Sequence, residues 1–296
     1  MRVSIIGSNG FLSTAIAKFC NDKGWNLNVF GLSEPDQHQY DHFYRINLMQ
    51  EELDVNTLLD SSIIIYAAGA GIQSNLRDDS SLIFRLNVIA PVAVCNNLKN
   101  RGYKGILVTF GSYFEIGEVD TEKAFSEEDI LSAISPAPND YIISKRMLSC
   151  FVASYKHDFT HWHFYLPTIY GERENPVRLI PYTINSIKAN IPFHFTSGTQ
   201  TRQYIYVEDI PKMLELSFEK GLPSGIYNVA GRDIMTVREI VERIHCVLGK
   251  DVPDNCFGSA QRDDVGMRYL VLNGEKLERI TGFVAKTRLD DVIDRY

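Results

Sequence analysis

A tyrosine and a lysine stand one helical turn apart in the stretch NDYIISKRM, where Tyr141 precedes Lys145 by four residues. Residues at positions i and i+4 share one face of a helix, so a phenol and an ammonium would be neighbours there. Such a pair could act as a proton donor with a charge beside it. The alternative is an ordinary amphipathic helix, with the tyrosine half-buried beneath the lysine stem. The pair alone does not decide between these two interpretations.

A glycine-rich turn follows the first apolar run of the chain, in RVSIIGSNGFLS. Gly7 ends a predicted strand, and Gly10 lies three residues later, directly before a predicted helix. A dinucleotide pyrophosphate needs backbone N–H groups at a helix N-terminus and no Cβ where the chain approaches the phosphates. The turn therefore predicts a cofactor site, with an incidental tight turn as the alternative. The predicted contacts are Gly7, Ser8, Asn9, Gly10, Phe11 and Leu12.

The second predicted strand, in LNVFGLS, ends without a carboxylate. An Asp or Glu at that place would bind the ribose 2′-hydroxyl of NAD. Here the positions hold Gly31 and Ser33, and the first acids are Glu34 and Asp36 in the following loop. A 2′-phosphate would meet no carboxylate at the strand end. We therefore expect NADPH to be favoured over NADH, with Ser33 as a further cofactor contact.

Short apolar runs alternate with helical patterns through the first half of the chain. The runs SSIIIYAAG and GILVTFGS are apolar throughout, which is typical of strands covered on both faces. Alternating strands and helices predict a Rossmann-like α/β fold with a doubly wound parallel sheet. After Gly171 the patterning is less regular. We predict a dinucleotide-binding domain over residues 1–170 and mainly a smaller substrate lobe over 171–296, with part of 200–232 returning to the first domain.

Composition excludes several classes of function. The net charge of −7 argues against a nucleic-acid partner, which would favour a basic surface. The five cysteines are scattered and form no CxxC pair, which predicts free thiols in a reducing compartment. His161 and His163 share one face of a predicted strand without a third ligand nearby, so we expect no metal site. No run approaches the roughly 18 apolar residues of a membrane span, and no signal peptide is visible, so a soluble cytoplasmic protein is expected.

A third candidate residue is Ser112, which ends the run VTFGS. Ser112, Tyr141 and Lys145 resemble the Ser–Tyr–Lys set of the short-chain dehydrogenase/reductases. The chain also resembles the extended branch of that superfamily, the NAD-dependent epimerase/dehydratase family that acts on nucleotide sugars. The segments that carry this resemblance, in order along nearly the whole chain, are GSNGFLS, AAG, RLNVIAP, LPTIYG, TRQYIYVEDI, GIYNVAG and QRDDVG.

The resemblance implies roles for individual residues. Tyr141 would donate a proton, Lys145 would lower the tyrosine pKa and bind the nicotinamide ribose, and Ser112 would hydrogen-bond the substrate oxygen. Further implied cofactor contacts are Asn47, Leu48, Ala67, Ala68, Gly69 and Asn87. Implied substrate contacts are Ser112, Tyr113, Thr168, Arg202 and Arg262.

The two arginines among these contacts match the family's diphosphate-binding positions, and the planar guanidinium suits phosphate oxygens. Arg262 could instead pair with Asp263 or Asp264 at the surface. Arg173 and Arg178 are weaker candidates for phosphate contact, and solvated loop charges are the preferred interpretation of both. Thr168 stands where many family members have an asparagine.

The residues after Ser112 separate the reactions of the family. Hexose 4,6-dehydratases resemble one another in an Asp–Glu pair directly after the catalytic hydroxyl residue, whereas this chain has Tyr113 and Phe114. Glu115 is displaced by one position and is expected to point elsewhere, so a dehydratase is rejected. We expect NADPH-dependent reduction of a nucleotide-linked 4-keto-6-deoxyhexose to the 4-hydroxy sugar, for surface polysaccharide.

Two other functions remain open at this point. The first is a nucleotide-sugar epimerase with tightly bound NAD, and the second is a non-catalytic Rossmann protein that senses the cofactor. A homodimer is expected through the helix that carries Tyr141, although its apolar run RMLSCFVASY is equally explained by a face turned to the core.

Overall fold

The computed structural model of the protein describes residues 1–36, 39–72, 78–260 and 267–296. The strands of these ranges are β1 (Arg2–Ile6), β2 (Asn26–Gly31), β3 (His42–Arg45), β4 (Ile63–Tyr66), β5 (Ile106–Ser112), β6 (Ala124–Phe125), β7 (Thr160–Leu166), β8 (Thr168–Tyr170), β9 (Thr201–Tyr206), β10 (Gly225–Asn228), β11 (Asp233–Thr236) and β12 (Tyr269–Leu272). The α-helices are α1 (Phe11–Asp22), α2 (Ser80–Phe84), α3 (Ala90–Asn100), α4 (Glu127–Leu131), α5 (Asp140–Ser154), α6 (Leu179–Ala189), α7 (Asp209–Glu219), α8 (Val237–Val247) and α9 (Glu275–Thr281).

A seven-stranded parallel sheet forms the larger layer, with the order β10-β7-β5-β4-β1-β2-β3. The order reverses at β1, which pairs with β2 on one side and with β4 on the other. In open α/β sheets such a reversal leaves a crevice outside the carboxyl ends of the two central strands, where ligands bind. The predicted doubly wound, Rossmann-like α/β fold is confirmed.

Helices cover both faces of this sheet, which explains why its central strands are buried on both faces and largely apolar. On one face, Ile16 of α1 and Met213 of α7 pack against Ile5 of β1. On the other face, Val94 and Leu98 of α3 pack in a second core cluster. Neither face of the central strands reaches water, so the runs show no polar alternation.

A second sheet has the order β11-β9-β12-β6, with β8 paired to β9. Its apolar side packs on α6 and α8, where Ile184, Ile240 and Ile244 are fully buried. The N-terminus of α8 is the capping box that the sequence predicts: the Thr236 hydroxyl accepts from the Glu239 N–H at 3.1 Å, and the Glu239 carboxylate accepts from the Thr236 N–H at 2.7 Å.

The second half of the chain contributes to both sheets. Within 200–232, α7 packs on the first sheet and β10 extends it beside β7, whereas β9 lies in the second sheet. The first half contributes β6 to the second sheet in return. The chain therefore crosses between the two layers several times after β5.

One helix in the described ranges, Ser80–Asn100, could cross a membrane by its length and composition alone. Its apolar residues are interrupted by Arg85 and Asn87, so it is not a continuous apolar run, although the mean hydropathy of an 18-residue window within it is 1.4. In this fold the helix joins α2 and α3 through a π-helical segment, Arg85–Ile89, and α3 packs in the core.

Candidate functional site

The glycine-rich turn between β1 and α1 lies against the loop after β4. Gly7 has φ +114°, a conformation that side chains rarely adopt, and a Cβ on it would lie 2.7 Å from the backbone nitrogen of Ala68. Its N–H donates to the Phe30 carbonyl at 2.8 Å. Gly10 is the N-cap of α1 and has no side chain to cap the first turn. The helix therefore presents its N–H groups at the reversal of strand order, as a pyrophosphate requires.

The side chains of this turn are bonded to the end of β2. The Ser8 hydroxyl donates to the Ser33 carbonyl at 2.7 Å, and the Asn9 amide donates to the Ser33 hydroxyl at 3.0 Å. A Cβ at Gly31 would collide with the Ser8 side chain, and this explains sterically why no acidic residue stands at that position of β2.

Asn87 supports the loop after β4, which contains Ala67, Ala68 and Gly69. Its side chain is buried, with Oδ1 accepting from the Ala70 N–H at 3.0 Å. Its amide nitrogen donates to the Ala70 carbonyl at 3.0 Å and to the Ser144 hydroxyl at 2.9 Å. The Asn87 side chain therefore faces the protein, and it ties the loop after β4 to α5.

Asn47 and Leu48 lie in the loop after β3. The Asn47 side chain accepts from the Met49 N–H at 3.1 Å, and the carbonyl of buried Leu48 accepts from the Arg85 guanidinium at 2.8 Å. These bonds fix the shape of the loop.

Ser112, Tyr141 and Lys145 meet at the carboxyl end of β5. Ser112 is the last residue of that strand, and its hydroxyl is a hydrogen-bond partner of the Tyr141 phenol. The Lys145 ammonium lies 5.8 Å from the centroid of the Tyr141 ring and donates to the Phe110 carbonyl at 2.8 Å. Asn139 positions the two helical residues, because its side chain caps α5 through the Ile142 N–H at 3.1 Å.

The charge states of this group differ from the sequence-based expectation. Burial raises the pKa of Tyr141 to about 12, and the Ser112 hydrogen bond only partly opposes that rise. Burial also lowers the pKa of Lys145, against the opposing effect of the Glu115 carboxylate. The expectation of a lowered tyrosine pKa is therefore not met, because removal from water disfavours the phenolate.

The predicted substrate contacts near Ser112 bond to one another. The hydroxyls of buried Tyr113 and half-buried Thr168 are 2.6 Å apart, which joins the end of β5 to β8. Arg202 of β9 is 9% exposed, and its guanidinium donates to the Thr201 carbonyl at 2.9 Å. Its charge opposes the rise that burial causes in the pKa of Tyr113. Arg262 lies outside the described residues.

Arg178, for which a solvated loop charge was the preferred interpretation, is largely buried. Its side chain is 22% exposed and bonds to the Glu174 carboxylate at 2.9 Å. Its charge opposes the rise in the pKa of both Tyr113 and Tyr141, so the guanidinium lies within electrostatic reach of both phenols. Burial raises the pKa of Glu174 to about 7. The four-residue spacing of this acid and base was the available signal. Arg173 is exposed, with φ +81°.

Within the described ranges, no group of three or more His, Cys, Asp or Glu side chains could hold a metal ion. His161 and His163 are both buried, and each is hydrogen-bonded to the Thr109 hydroxyl.

The family model and the related sequences indicate the same protein family. The model of the NAD dependent epimerase/dehydratase family matches residues 3–230. The dTDP-4-dehydro-6-deoxyglucose reductase of Escherichia coli is 22% identical in an alignment that covers 99% of this chain and 95% of that protein. The dTDP-D-glucose 4,6-dehydratase of Dictyostelium discoideum is 23% identical in an alignment that covers 77% of this chain but 58% of that protein.

Solved structures share the fold over nearly the whole chain. MoeE5 in complex with UDP-glucuronic acid and NAD has a TM-score of 0.81 at 21% identity, covering 99% of this chain and 97% of that one. The UDP-glucose 4-epimerase of Thermus thermophilus, in complex with NAD, has a TM-score of 0.82 at 19% identity, covering 99% of this chain and 96% of that one.

The close approach at Gly7 gives the first testable prediction. Gly7→Ala should lower the free energy of unfolding by about 1–3 kcal/mol or more, because it adds a steric clash to an unfavourable φ. Gly102→Ala is the matched control, since Gly102 has φ +67° with nothing within 4 Å of an added Cβ. Urea unfolding followed by circular dichroism measures both. A loss for Gly7→Ala no larger than for the control would contradict the close packing of the turn.

Proposed function

Because the chain belongs to the NAD-dependent epimerase/dehydratase family, we propose that it reduces a nucleotide-linked 4-keto-6-deoxyhexose to the 4-hydroxy sugar with NADPH. The observation that carries the proposal is the meeting of Ser112, Tyr141 and Lys145 at the crevice edge of the sheet. The product would serve surface polysaccharide synthesis. The Escherichia coli reductase, similar over 99% of this chain, supports this choice of reaction.

The nicotinamide cofactor, when bound, supplies the hydride that adds to the carbonyl carbon. Tyr141 gives its phenolic proton to the carbonyl oxygen, and its raised pKa keeps that proton in place at neutral pH. The Ser112 hydroxyl donates to the same oxygen and stabilises charge as it develops. Lys145 binds the nicotinamide ribose hydroxyls and offsets negative charge on Tyr141 after the transfer.

The chain offers a cradle that fits the cofactor. The bare backbone at Gly7 and the uncapped start of α1 suit the pyrophosphate, in a turn made by Gly7, Ser8, Asn9, Gly10, Phe11 and Leu12. Further proposed contacts are Ser33, Asn47, Leu48, Ala67, Ala68, Gly69, Tyr141 and Lys145. Asn87 acts through the loop that it holds.

The sugar nucleotide would bind on the side of the second sheet. Arg202 and Arg262 are the proposed diphosphate ligands, and Arg178 joins them because its charge already faces Tyr113 and Tyr141. Tyr113 and Thr168, bonded to each other, would shape the pocket beside Ser112. The solved structure of MoeE5 in complex with UDP-glucose and NAD, which shares this fold, supports a substrate of this class.

The surroundings of Glu115 favour reduction over dehydration. The carboxylate is fully buried, where it accepts from the Ser112 N–H at 2.7 Å and from the Ser149 hydroxyl at 2.6 Å. Both of its oxygens are therefore engaged within the protein, and this acid is not offered to a sugar. The positions directly after Ser112 hold Tyr113 and Phe114, which have no carboxyl group to eliminate water.

Epimerisation is the second candidate, supported by solved epimerases that share the fold over 99% of this chain. An epimerase returns the hydride to the sugar and keeps its NAD bound. Purified protein that retains NAD and consumes no reduced cofactor would favour it. A non-catalytic sensor ranks below both, since Tyr141 and Lys145 are each present and lie together.

The role of Tyr141 is tested by Tyr141→Phe, assayed with CDP-, dTDP- and GDP-linked 4-keto-6-deoxyhexoses. Loss of the phenolic proton should reduce kcat by about 10²–10⁴-fold, the usual contribution of a general acid. Tyr155→Phe, at the opposite end of α5, is the matched control and should retain the wild-type rate. Unchanged turnover in Tyr141→Phe would contradict the proposed chemistry.

The preference for NADPH is a separate prediction. Gly31 leaves no carboxylate at the end of β2, and the nearest acid, Glu34, is hydrogen-bonded to the Tyr40 hydroxyl. Related structures contain NAD, so they support the cofactor class and not this preference. We expect kcat/KM for NADPH to exceed that for NADH with the same sugar. A higher value for NADH would overturn the argument from Gly31.

A cytoplasmic homodimer is also proposed, and all five cysteines are free, as suits a reducing compartment. On α5, Ile143 and Met147 are 39% and 48% exposed at positions four apart, and they form an apolar patch on one face of the helix. Met147→Glu should shift the mass measured by light scattering from dimer to monomer. Ile134→Glu, on a fully exposed residue off this helix, is the control. A wild-type monomer would contradict the dimer.

A further inference from the structure

Glu115 lies at the end of a buried chain of hydrogen bonds that the proposed reaction does not use. From its carboxylate the chain runs to the Ser149 hydroxyl at 2.6 Å and on to Nε2 of His163 at 3.0 Å. Nδ1 of His163 is 2.8 Å from the Thr109 hydroxyl, which is 2.9 Å from Nε2 of His161. All five side chains are at most 1% exposed.

The hydrogens of this chain can be assigned by counting donors. Each hydroxyl has one hydrogen, and a neutral imidazole has one donor and one acceptor. If Ser149 donates to Glu115, then Nε2 of His163 must donate to Ser149, and its Nδ1 must accept from Thr109. Thr109 then accepts from Nε2 of His161. Every hydrogen points toward Glu115.

His161, at the far end of the hydrogen-bonded chain, decides whether the hydrogens point toward Glu115 or away from it. Nδ1 of His161 is buried and has no hydrogen-bond partner. When the hydrogens point toward Glu115, Nδ1 of His161 carries only a lone pair. In the reverse direction it would carry a buried N–H without an acceptor. The reverse would also need a proton on Oε2 of Glu115, whereas Oε1 accepts from the Ser112 N–H at 2.7 Å in either direction. Since an unpaired buried donor is the costlier defect, the direction toward an ionised Glu115 is favoured.

The counter-charge for this carboxylate is Lys145. The Lys145 ammonium holds the carbonyl of Phe110, and Oε1 of Glu115 lies against the next residue, where a Cβ on Gly111 would come within 2.6 Å of it. Both charges therefore lie beside the Phe110–Gly111 peptide, and the charge of Glu115 opposes the fall of the Lys145 pKa that burial causes. Gly111 is therefore required, because any side chain there would displace Glu115 or His163.

We propose that Glu115 is a positioning residue that keeps Lys145 protonated beside Tyr141 and fixes the backbone of Ser112, and that the hydroxyl–imidazole chain behind it holds it ionised. The role in catalysis rests on the proposed reduction, whereas the charge assignment does not. Sequence analysis placed Glu115 only as a displaced acid and treated the two histidines as unremarkable.

Other titratable and charged groups lie around Glu115 and also affect its charge state. Burial raises the pKa of Glu115 to about 7, and the hydrogen bonds from Ser149 and Ser112 oppose that rise, as do the charges of Lys145 and Arg146. From α5, Arg146 also donates to the Glu115 carbonyl at 2.5 Å. From β7, His163 is held neutral by burial, and the Tyr165 phenol is kept protonated by burial and by the charge of Glu115. The phenol of Tyr141 is likewise disfavoured as phenolate by Glu115. Two cations therefore face one carboxylate among neutral groups.

The sign of the pH effect follows from these charges. Burial lowers the pKa of Lys145, so the ammonium is present below that pKa and is lost as pH rises through it. An adjacent carboxylate raises the pKa of a cation by about one to three units. Removing the charge of Glu115 should therefore move the loss of the ammonium, and of the reductase rate, to lower pH.

The test uses Glu115→Gln, which keeps the shape of the side chain, with Glu118→Gln as the control that removes an exposed charge three residues away. The titration of Lys145 is followed by NMR of ¹³C-labelled lysine, assigned by its loss in Lys145→Met. The midpoint should fall by about one to three pH units in Glu115→Gln and stay unchanged in Glu118→Gln. The basic limb of the kcat profile should fall with it. An unchanged midpoint would overturn the proposal.

A second measurement needs no variant. Long-range ¹H–¹⁵N NMR of the wild-type histidines reports which ring nitrogen is protonated. We expect His163 to carry its hydrogen on Nε2 at neutral pH, whereas a hydrogen on Nδ1 would contradict an ionised Glu115. Both NMR results can hold while no sugar is reduced, and in that case the proposed function fails and the charge assignment stands.

Discussion

The site depends on a lysine held in a place that disfavours its charge. Removal from water lowers the pKa of Lys145, so the ammonium persists only where the surroundings offset that loss. The Phe110 carbonyl accepts its hydrogen bond at the end of β5, and the Glu115 carboxylate lies beside the next peptide. The ammonium of Lys145 therefore connects three parts of the structure: the end of β5, the start of α5 and the turn after Ser112.

The opposite wall of the crevice depends on close packing of backbone. Gly7 approaches the loop after β4 so tightly that a single added carbon would meet Ala68, and Asn87 ties the same loop to α5. The glycine-rich turn and the Ser112–Tyr141–Lys145 group are therefore connected through one loop. A cofactor bound along the carboxyl edge of the sheet would contact both.

Local sequence patterns predicted the fold and identified Ser112, Tyr141 and Lys145 as residues of one site. Apolar runs such as GILVTFGS indicate strands covered on both sides, and the Thr236–Glu239 pair marks the start of α8 because both act within one turn. The pKa of Tyr141 was predicted with the wrong sign, since burial is set by the whole fold and not by a spacing of four residues. The burial of Arg178 and the hydrogen-bonded side chains from Glu115 to His161 were not predicted. Those side chains meet only once β5, β7 and α5 have packed together.

The central claim is net transfer of hydride from the reduced cofactor to the sugar. It is tested most directly with 4-deuterated NADPH and the nucleotide-linked 4-keto-6-deoxyhexose that the protein turns over, with the product read by NMR. The account predicts one deuterium at C4 of a 4-hydroxy sugar for each cofactor oxidised. An isomerised sugar without deuterium, formed while the cofactor stays reduced, would contradict the account and identify an epimerase.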